Sequence, residues 1–300
     1  MARKSSFAVN FEYGALRFFC ALVNAIPYRV ACALATVVAV LAFDVFRLNR
    51  RRTLERIESV FPAMSPAERR KIAFRSLENV LKTGVEMMRA PRLDRAWIDR
   101  HVENAAESHA KLSAVLARGK GAVIMVPHAG NWYMAAWAMA KYGLPLCAIA
   151  AKQRNPKLDA WMKRQYGDIE VVDRGSARVL VEIKEKILAG RAFAILPDLR
   201  VPQPDVEADF LGGKANVSHA GAMFAVKTGA PIVVGMMRRE KGRHVIDYLG
   251  ELPSEGRRAE DLMREVMTIL DRHIRLYPGD WFWYNKRWIL QPVKQKGKSR

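Results

Sequence analysis

AVIMVPHAGNWY, residues 122–133, decides the fold. Ala122 to Val126 is an uninterrupted apolar run, too short for a stable helix and the right length for a strand buried on both faces. Pro127 removes a backbone donor and ends the run. From Asn131 the chain turns rich in Ala, Met and Trp and reads as a helix. A strand handing over to a helix through a short turn is the repeating half-unit of an α/β fold. Such a turn lies at the carboxyl edge of the sheet, where these proteins collect ligands. His128 stands in the turn, and imidazole can take and return a proton near neutral pH. A lone histidine can equally serve to satisfy a turn.

The same alternation continues downstream. Short apolar runs at Leu144 to Ala150, Ile169 to Val172, Ala192 to Leu196 and Ile232 to Met236 are separated by helical patterns. This predicts an α/β fold with a mostly parallel central sheet flanked by helices. His244 to Leu249 is expected as a further strand near an edge, and Ala259 to Leu276 as a long helix. Ser65-Pro66-Ala67-Glu68 has the spacing of a capping box with Pro at the first helical position, so a helix should run from there to about Met88. Arg154 and Asp198 each follow an apolar strand, as His128 does, so one edge of the sheet could hold all three. The guanidinium of Arg154 offers a fork suited to phosphate or carboxylate. Gly130 permits close backbone approach. Asn131 and Trp132 are read as part of the wall of the site, with a helix cap and a core aromatic as the alternatives.

Several segments taken together resemble the late acyltransferases of lipid A biosynthesis. They are His128-x-Gly130-Asn131-Trp132, Arg154-Asn155-Pro156 with Asp159, Leu196-Pro197-Asp198, Phe210-Leu211-Gly212-Gly213 with Ala215, and Pro278 followed by Trp281-Phe282-Trp283 and Lys286-Arg287-Trp288. They occur in the family's order from about Leu16 to Pro292. The resemblance implies transfer of a fatty acyl chain from an acyl carrier protein or coenzyme A thioester to a hydroxyl of a phosphorylated lipid, a lipid A precursor or a relative of one. It implies no metal and no bound cofactor. His128 would be the general base, Asp198 a second catalytic residue, and Arg154, Asn131, Trp132 and Gly130 the substrate-binding set. One position departs from the pattern. The family carries Asp or Glu five residues after the histidine, and this chain has Tyr133. A carboxylate there would orient the imidazole and stabilise imidazolium, which a phenol does not. Three readings follow: a carboxylate relocated elsewhere, with Asp198 the first candidate; a slow enzyme; or a catalytically impaired member that binds lipid.

Fifty Lys and Arg against thirty Asp and Glu give a formal charge of +20, which calls for an anionic partner. Nucleic acid and anionic lipid are the candidates, and no DNA- or RNA-binding motif accompanies the charge. Val30 to Phe43 is uncharged and follows the largely apolar Phe18 to Tyr28. Because this stretch runs directly into Asp44, Arg47 and the Arg50 cluster without a small-residue cleavage site, it reads as a retained anchor. The expected organisation is a membrane-anchoring helical segment over residues 1–46 and an acyltransferase domain over 47–300. The basic flank at Arg47 to Arg56 predicts an inner-membrane protein with its catalytic part on the cytoplasmic face, against anionic headgroups, and no nucleic-acid partner. Cys20, Cys32 and Cys147 are too few for a disulfide framework or a zinc site. The Trp281 to Trp288 cluster is either an interfacial aromatic belt or a packed terminal segment.

Overall fold

A computed structural model describes residues 5–291; the basic run Lys294 to Arg300 lies outside them. The amino-terminal third is helical: α1 (Ser6–Ala25), α2 (Tyr28–Val40), α3 (Arg50–Val60) and α4 (Pro66–Arg89), with one π-helical turn over Leu41–Val45. Helix α4 starts at the expected capping box, with the Ser65 hydroxyl accepting from Glu68 N and the Glu68 carboxylate accepting from Ser65 N. It then serves as the spine of the layer. Thr36 of α2 donates to Glu78 at 2.6 Å, Asn24 of α1 donates to Met88 O at 3.0 Å, and Arg89 donates to Val23 O at 2.6 Å. Phe43, the last residue of the uncharged run, is fully buried in the main core. The helices on either side of residue 46 thus both pack on α4. Tyr28–Val45 is long and apolar enough to cross a membrane. Phe7, Phe11, Phe18 and Phe19 on α1, and Val30, Leu34, Val37 and Val38 on α2, are exposed.

Beyond α4 the chain alternates. It runs through α5 (Arg95–His101), β1 (Val102–Glu103), α6 (Ala105–Leu116), β2 (Ala122–Met125), α7 (Trp132–Lys141) and β3 (Leu146–Ala150). Next come α8 (Pro156–Gln165), β4 (Glu170–Asp173), α9 (Val179–Leu188), β5 (Ala192–Ile195), β6 (Val206–Phe210) and β7 (Gly213–Val217). The chain closes with α10 (Ala220–Thr228), β8 (Ile232–Glu240), β9 (Arg243–Leu252) and α11 (Ala259–Leu276). Seven strands form one sheet in the order β1-β9-β8-β2-β5-β3-β4. Strands β8, β2, β5, β3 and β4 pair in parallel, as the alternation predicted, and β9 returns antiparallel to β8. Successive side chains of β2 point to opposite faces. Val123 and Met125 enter a core shared with residues of α9, α10 and α11, whereas Ala122 and Ile124 enter one shared with residues of α6 and α7.

Two features differ from the expectation. Strand β9 lies near an edge as expected, one strand in because the two residues of β1 pair beyond it, but it is longer than His244 to Leu249. The β6–β7 hairpin was not anticipated. Its two central residues, Leu211 and Gly212, have φ of 48° and 79°, the pattern of a primed turn, but a leucine in the first place hides the usual Asn-Gly or Asp-Gly signal. At the carboxyl end, Trp281 and Trp283 are buried and pack edge-to-face at 4.9 Å. The packed terminal segment is thus the reading that holds for them, not a belt at a membrane boundary.

Candidate active site

The register of the sheet brings His128 and Asp198 together. Met125 pairs with Ile195 across β2 and β5, and each of the two residues lies three positions beyond that pair at the same carboxyl edge. His128 Nδ1 sits 2.7 Å from Asp198 Oδ1. The other carboxylate oxygen accepts from the His128 backbone N–H and from Trp281 Nε1, both at 2.8 Å. Asp198 is only 3 % exposed. Burial alone would raise its pKa, but the charge of His128 and the hydrogen bonds from His128 and Trp281 outweigh it and hold the carboxyl below its ordinary value. With Nδ1 engaged, Nε2 is the ring nitrogen left for a substrate. Trp132 packs edge-on to the imidazole, with ring centroids 5.0 Å apart.

His128 and Trp132 face a cavity of about 310 Å³. The cavity runs under α7 along one face of the sheet, between Val126, Ala148, Ala194 and Leu196 below and Ala136 and Met139 above. Most of its wall is hydrocarbon or aromatic. Tyr133 belongs to that wall, stacked on Trp137 with centroids 5.9 Å apart and tilted against Tyr166. Burial raises the pKa of its phenol. The position that holds a carboxylate in the family pattern is therefore filled by a neutral ring lining an apolar space.

The turn itself is held from behind. Gly130 N donates to Asp280 O at 2.8 Å, Thr83 Oγ1 donates to Gly130 O at 3.3 Å, and Phe282 N donates to His128 O at 2.9 Å. Gly130 has a φ of 54°, and a Cβ there would lie 2.5 Å from Met237 O. The close approach expected at Gly130 is thus to strand β8. Asn131 is fully buried and does not line the cavity: its Oδ1 caps α7 by accepting from Met134 N, and its Nδ2 donates to Glu86 Oε2 at 2.6 Å. Of the two readings of Asn131, the cap describes it. Arg154 leaves β3 at the same sheet edge but is exposed, makes no hydrogen bond with a described residue, and stands outside the cavity that Gln153 lines. Its neighbours shape the loop, with Asn155 capping α8 and the Asp159 carboxylate accepting from Gln153 N.

Sequence reading missed the group that anchors this turn. Glu86 of α4 is fully buried and accepts from both terminal nitrogens of Arg239 at 2.7 and 2.6 Å, from Tyr28 at 2.7 Å and from Asn131. His244 Nε2 lies 3.0 Å from the same carboxylate. Burial opposes the charge, but Arg239 and His244 keep the Glu86 pKa well below the usual range. A glutamate among Val85, Met87 and Met88 carries no mark of this role, because its partners lie up to 158 residues away.

A family model described as bacterial lipid A biosynthesis acyltransferase matches residues 4–289. The chain is 26% identical over 247 residues to a phosphatidylinositol mannoside acyltransferase of Mycolicibacterium smegmatis, covering 80% of this chain and 78% of that one. It is 26% identical over 248 residues to a protein of the same description from Mycobacterium tuberculosis, covering 80% and 76%. With the strand-end histidine, the apolar cavity and a match over nearly its whole length, the chain belongs to the bacterial lipid A biosynthesis acyltransferase family and is an acyltransferase.

Proposed function

We propose that this enzyme moves a fatty acyl group from an acyl thioester, on acyl carrier protein or coenzyme A, to a hydroxyl of a phosphorylated glycolipid. That chemical class embraces both the acceptor in the family's description and those in the relatives' names. One observation carries the reading: a histidine paired with a buried carboxylate opens directly onto an apolar cavity. Asp198 fixes the ring with the proton on Nδ1, so Nε2 accepts the proton of the acceptor hydroxyl as its oxygen attacks the thioester carbonyl. The imidazolium so formed is stabilised by Asp198. It returns the proton to the sulfur as the C–S bond breaks, leaving an ester and a free thiol. The cavity receives the acyl chain and keeps water from competing. The carboxylate at Asp198 weakens the reading of the chain as an impaired, merely lipid-binding member, which rested on Tyr133 alone.

The exposed apolar side chains of α1 and α2 support attachment to a membrane, with the basic residues near Arg50 against anionic headgroups. We place the enzyme on the cytoplasmic face of the inner membrane, where thioester donors are made. Arg154, exposed at the sheet edge and without a partner among the described residues, is available for a phosphate of donor or acceptor. The test is mass spectrometry of lipids after incubation of purified protein with acyl thioesters and candidate glycolipids. An added acyl group is expected with the parent, and His128→Ala should reduce its formation by roughly 10² to 10⁴-fold while the protein still folds. Undiminished transfer by the variant would refute the assignment of the base.

A further inference from the structure

A second, larger cavity of about 1040 Å³ lies beside the acyl cavity and differs from it in character. Eight Arg and Lys side chains and two glutamates line it, contributed by α2, α4, α5 and the β8–β9 turn. Most of these cations are already answered. Arg75 pairs with Asp280, Lys82 with Glu78, Arg238 with Glu240 and Asp247, Arg239 with Glu86, and Arg243 with Glu103. Three are not. The side chains of Arg29 and Lys241 make no hydrogen bond or ion pair with a described residue, and the guanidinium of Arg100 donates only to the carbonyl of Ala96 in its own helix. Three cations without a close ion-pair partner among the described residues face one concave space, and an anion that joins them relieves their repulsion. Arg29 also sits in the first turn of α2, whose unpaired backbone N–H groups add positive potential at that end.

The placement narrows the anion. Immediately after Arg29, α2 exposes Val30, Leu34, Val37 and Val38, an apolar track leading away from the cavity mouth. Phosphate in the cavity and hydrocarbon along α2 is the arrangement of a phospholipid. The cavity and the active site share a partition: Asp280 faces Arg75 and Asn79, which line the basic cavity, and the next residue, Trp281, donates to Asp198.

We infer that this cavity is a binding site for an anionic phosphate group, held by Arg29, Arg100 and Lys241, with the headgroup of a membrane phospholipid as its source. Cys32 lines the cavity and Cys20 does not, so their alkylation reports occupancy with an internal control. Full-length protein in neutral detergent micelles is treated with N-ethylmaleimide, and labelling is mapped by mass spectrometry. Dioleoylphosphatidylglycerol should slow labelling at Cys32 but not at Cys20, and dioleoylglycerol, which has the same chains without phosphate, should not. In Arg29→Gln/Lys241→Gln the concentration giving half-protection should rise about thirtyfold, roughly fivefold for each cation removed near a lipid phosphate. The melting temperature should hold, since neither side chain has a described partner. Arg174→Gln/Arg272→Gln, which removes two exposed cations outside the cavity, should leave half-protection unchanged. Protection by inorganic phosphate alone would assign the site to a soluble phosphate compound, and protection by phosphatidylglycerol alone to lipid. Equal protection by both dioleoyl lipids, an unchanged half-point in Arg29→Gln/Lys241→Gln, or an equal shift in the control would overturn the inference. The readout is labelling, so it stands apart from acyl transfer.

Discussion

A carboxylate removed from water stays charged only where donors and a positive partner replace its hydration. Asp198 has three donors from two residues, and Glu86 has Arg239, Tyr28, Asn131 and His244. The two sites use the same physics for different ends. Asp198 faces a histidine whose second nitrogen has no partner among the described residues and lies beside a cavity, whereas Glu86 is enclosed by its partners, of which Asn131 and His244 are buried, and it pins the start of α7 to α4 and β8. His244 reports the difference. Burial first, and Arg239 after it, outweigh the attraction of Glu86 and hold the His244 pKa below its ordinary value of 6.5. The unfolded chain then binds this proton at a pH where the folded one does not. Its contribution to stability is complete above 6.5 and is lost as pH falls toward the depressed folded value. His244→Gln should therefore flatten the decline in thermal stability between about pH 7 and pH 5, by up to about 1.4 kcal/mol per pH unit, though it lowers stability overall. A decline as steep as that of the parent would show that His244 is not the group responsible.

At the scale of elements, site geometry follows from strand ends and one turn. His128 and Asp198 were legible in the sequence because each follows a short apolar run by the same offset, and parallel strands carry equal offsets to one edge. That they leave adjacent strands was not legible. Strand β5 sits between β2 and β3 through crossover connections, and a one-dimensional pattern does not contain that order. Trp281 escaped for the same reason: its bond to Asp198 spans 83 residues. Gly130 tests the turn. Gly130→Ala places a methyl 2.5 Å from Met237 O at a φ of 54°, so both conformational strain and a backbone clash oppose it. A loss of at least roughly 2 kcal/mol is expected in thermal unfolding. Gly143, with φ of 88° and nothing within 4 Å, supplies the contrast. Gly143→Ala should lose only about 1 kcal/mol, the conformational part. Equal losses at the two positions would mean that β8 yields and does not brace the turn.

Across the whole molecule, apolar surface and positive charge divide the work. Composition and the uncharged Val30 to Phe43 run made a basic protein with one helix apolar enough to cross a membrane legible, and alternation made the α/β sheet legible. The absorption of the amino-terminal helices into the α4 layer was not, because Thr36, Asn24 and Phe43 find their partners only in three dimensions. The helices that would meet lipid are packed to the element that carries Glu86, and through Glu86 to the turn that carries His128. The exposed apolar surface of α1 and α2 and the apolar cavity thus belong to one connected frame, and in the proposed function the chemistry turns on the His128–Asp198 pair at its edge. In Asp198→Asn, the two donors at Oδ2 would hold the amide oxygen and turn its N–H toward His128 Nδ1. The ring would then carry its proton on Nε2 and could not act as base. The decisive measurement is the turnover of acyl transfer by the parent, Asp198→Asn and Tyr133→Phe, with folding checked by thermal melts. The account predicts a fall of roughly 10⁴-fold in Asp198→Asn and little change in Tyr133→Phe. Full turnover in folded Asp198→Asn, or a collapse confined to Tyr133→Phe, would contradict it.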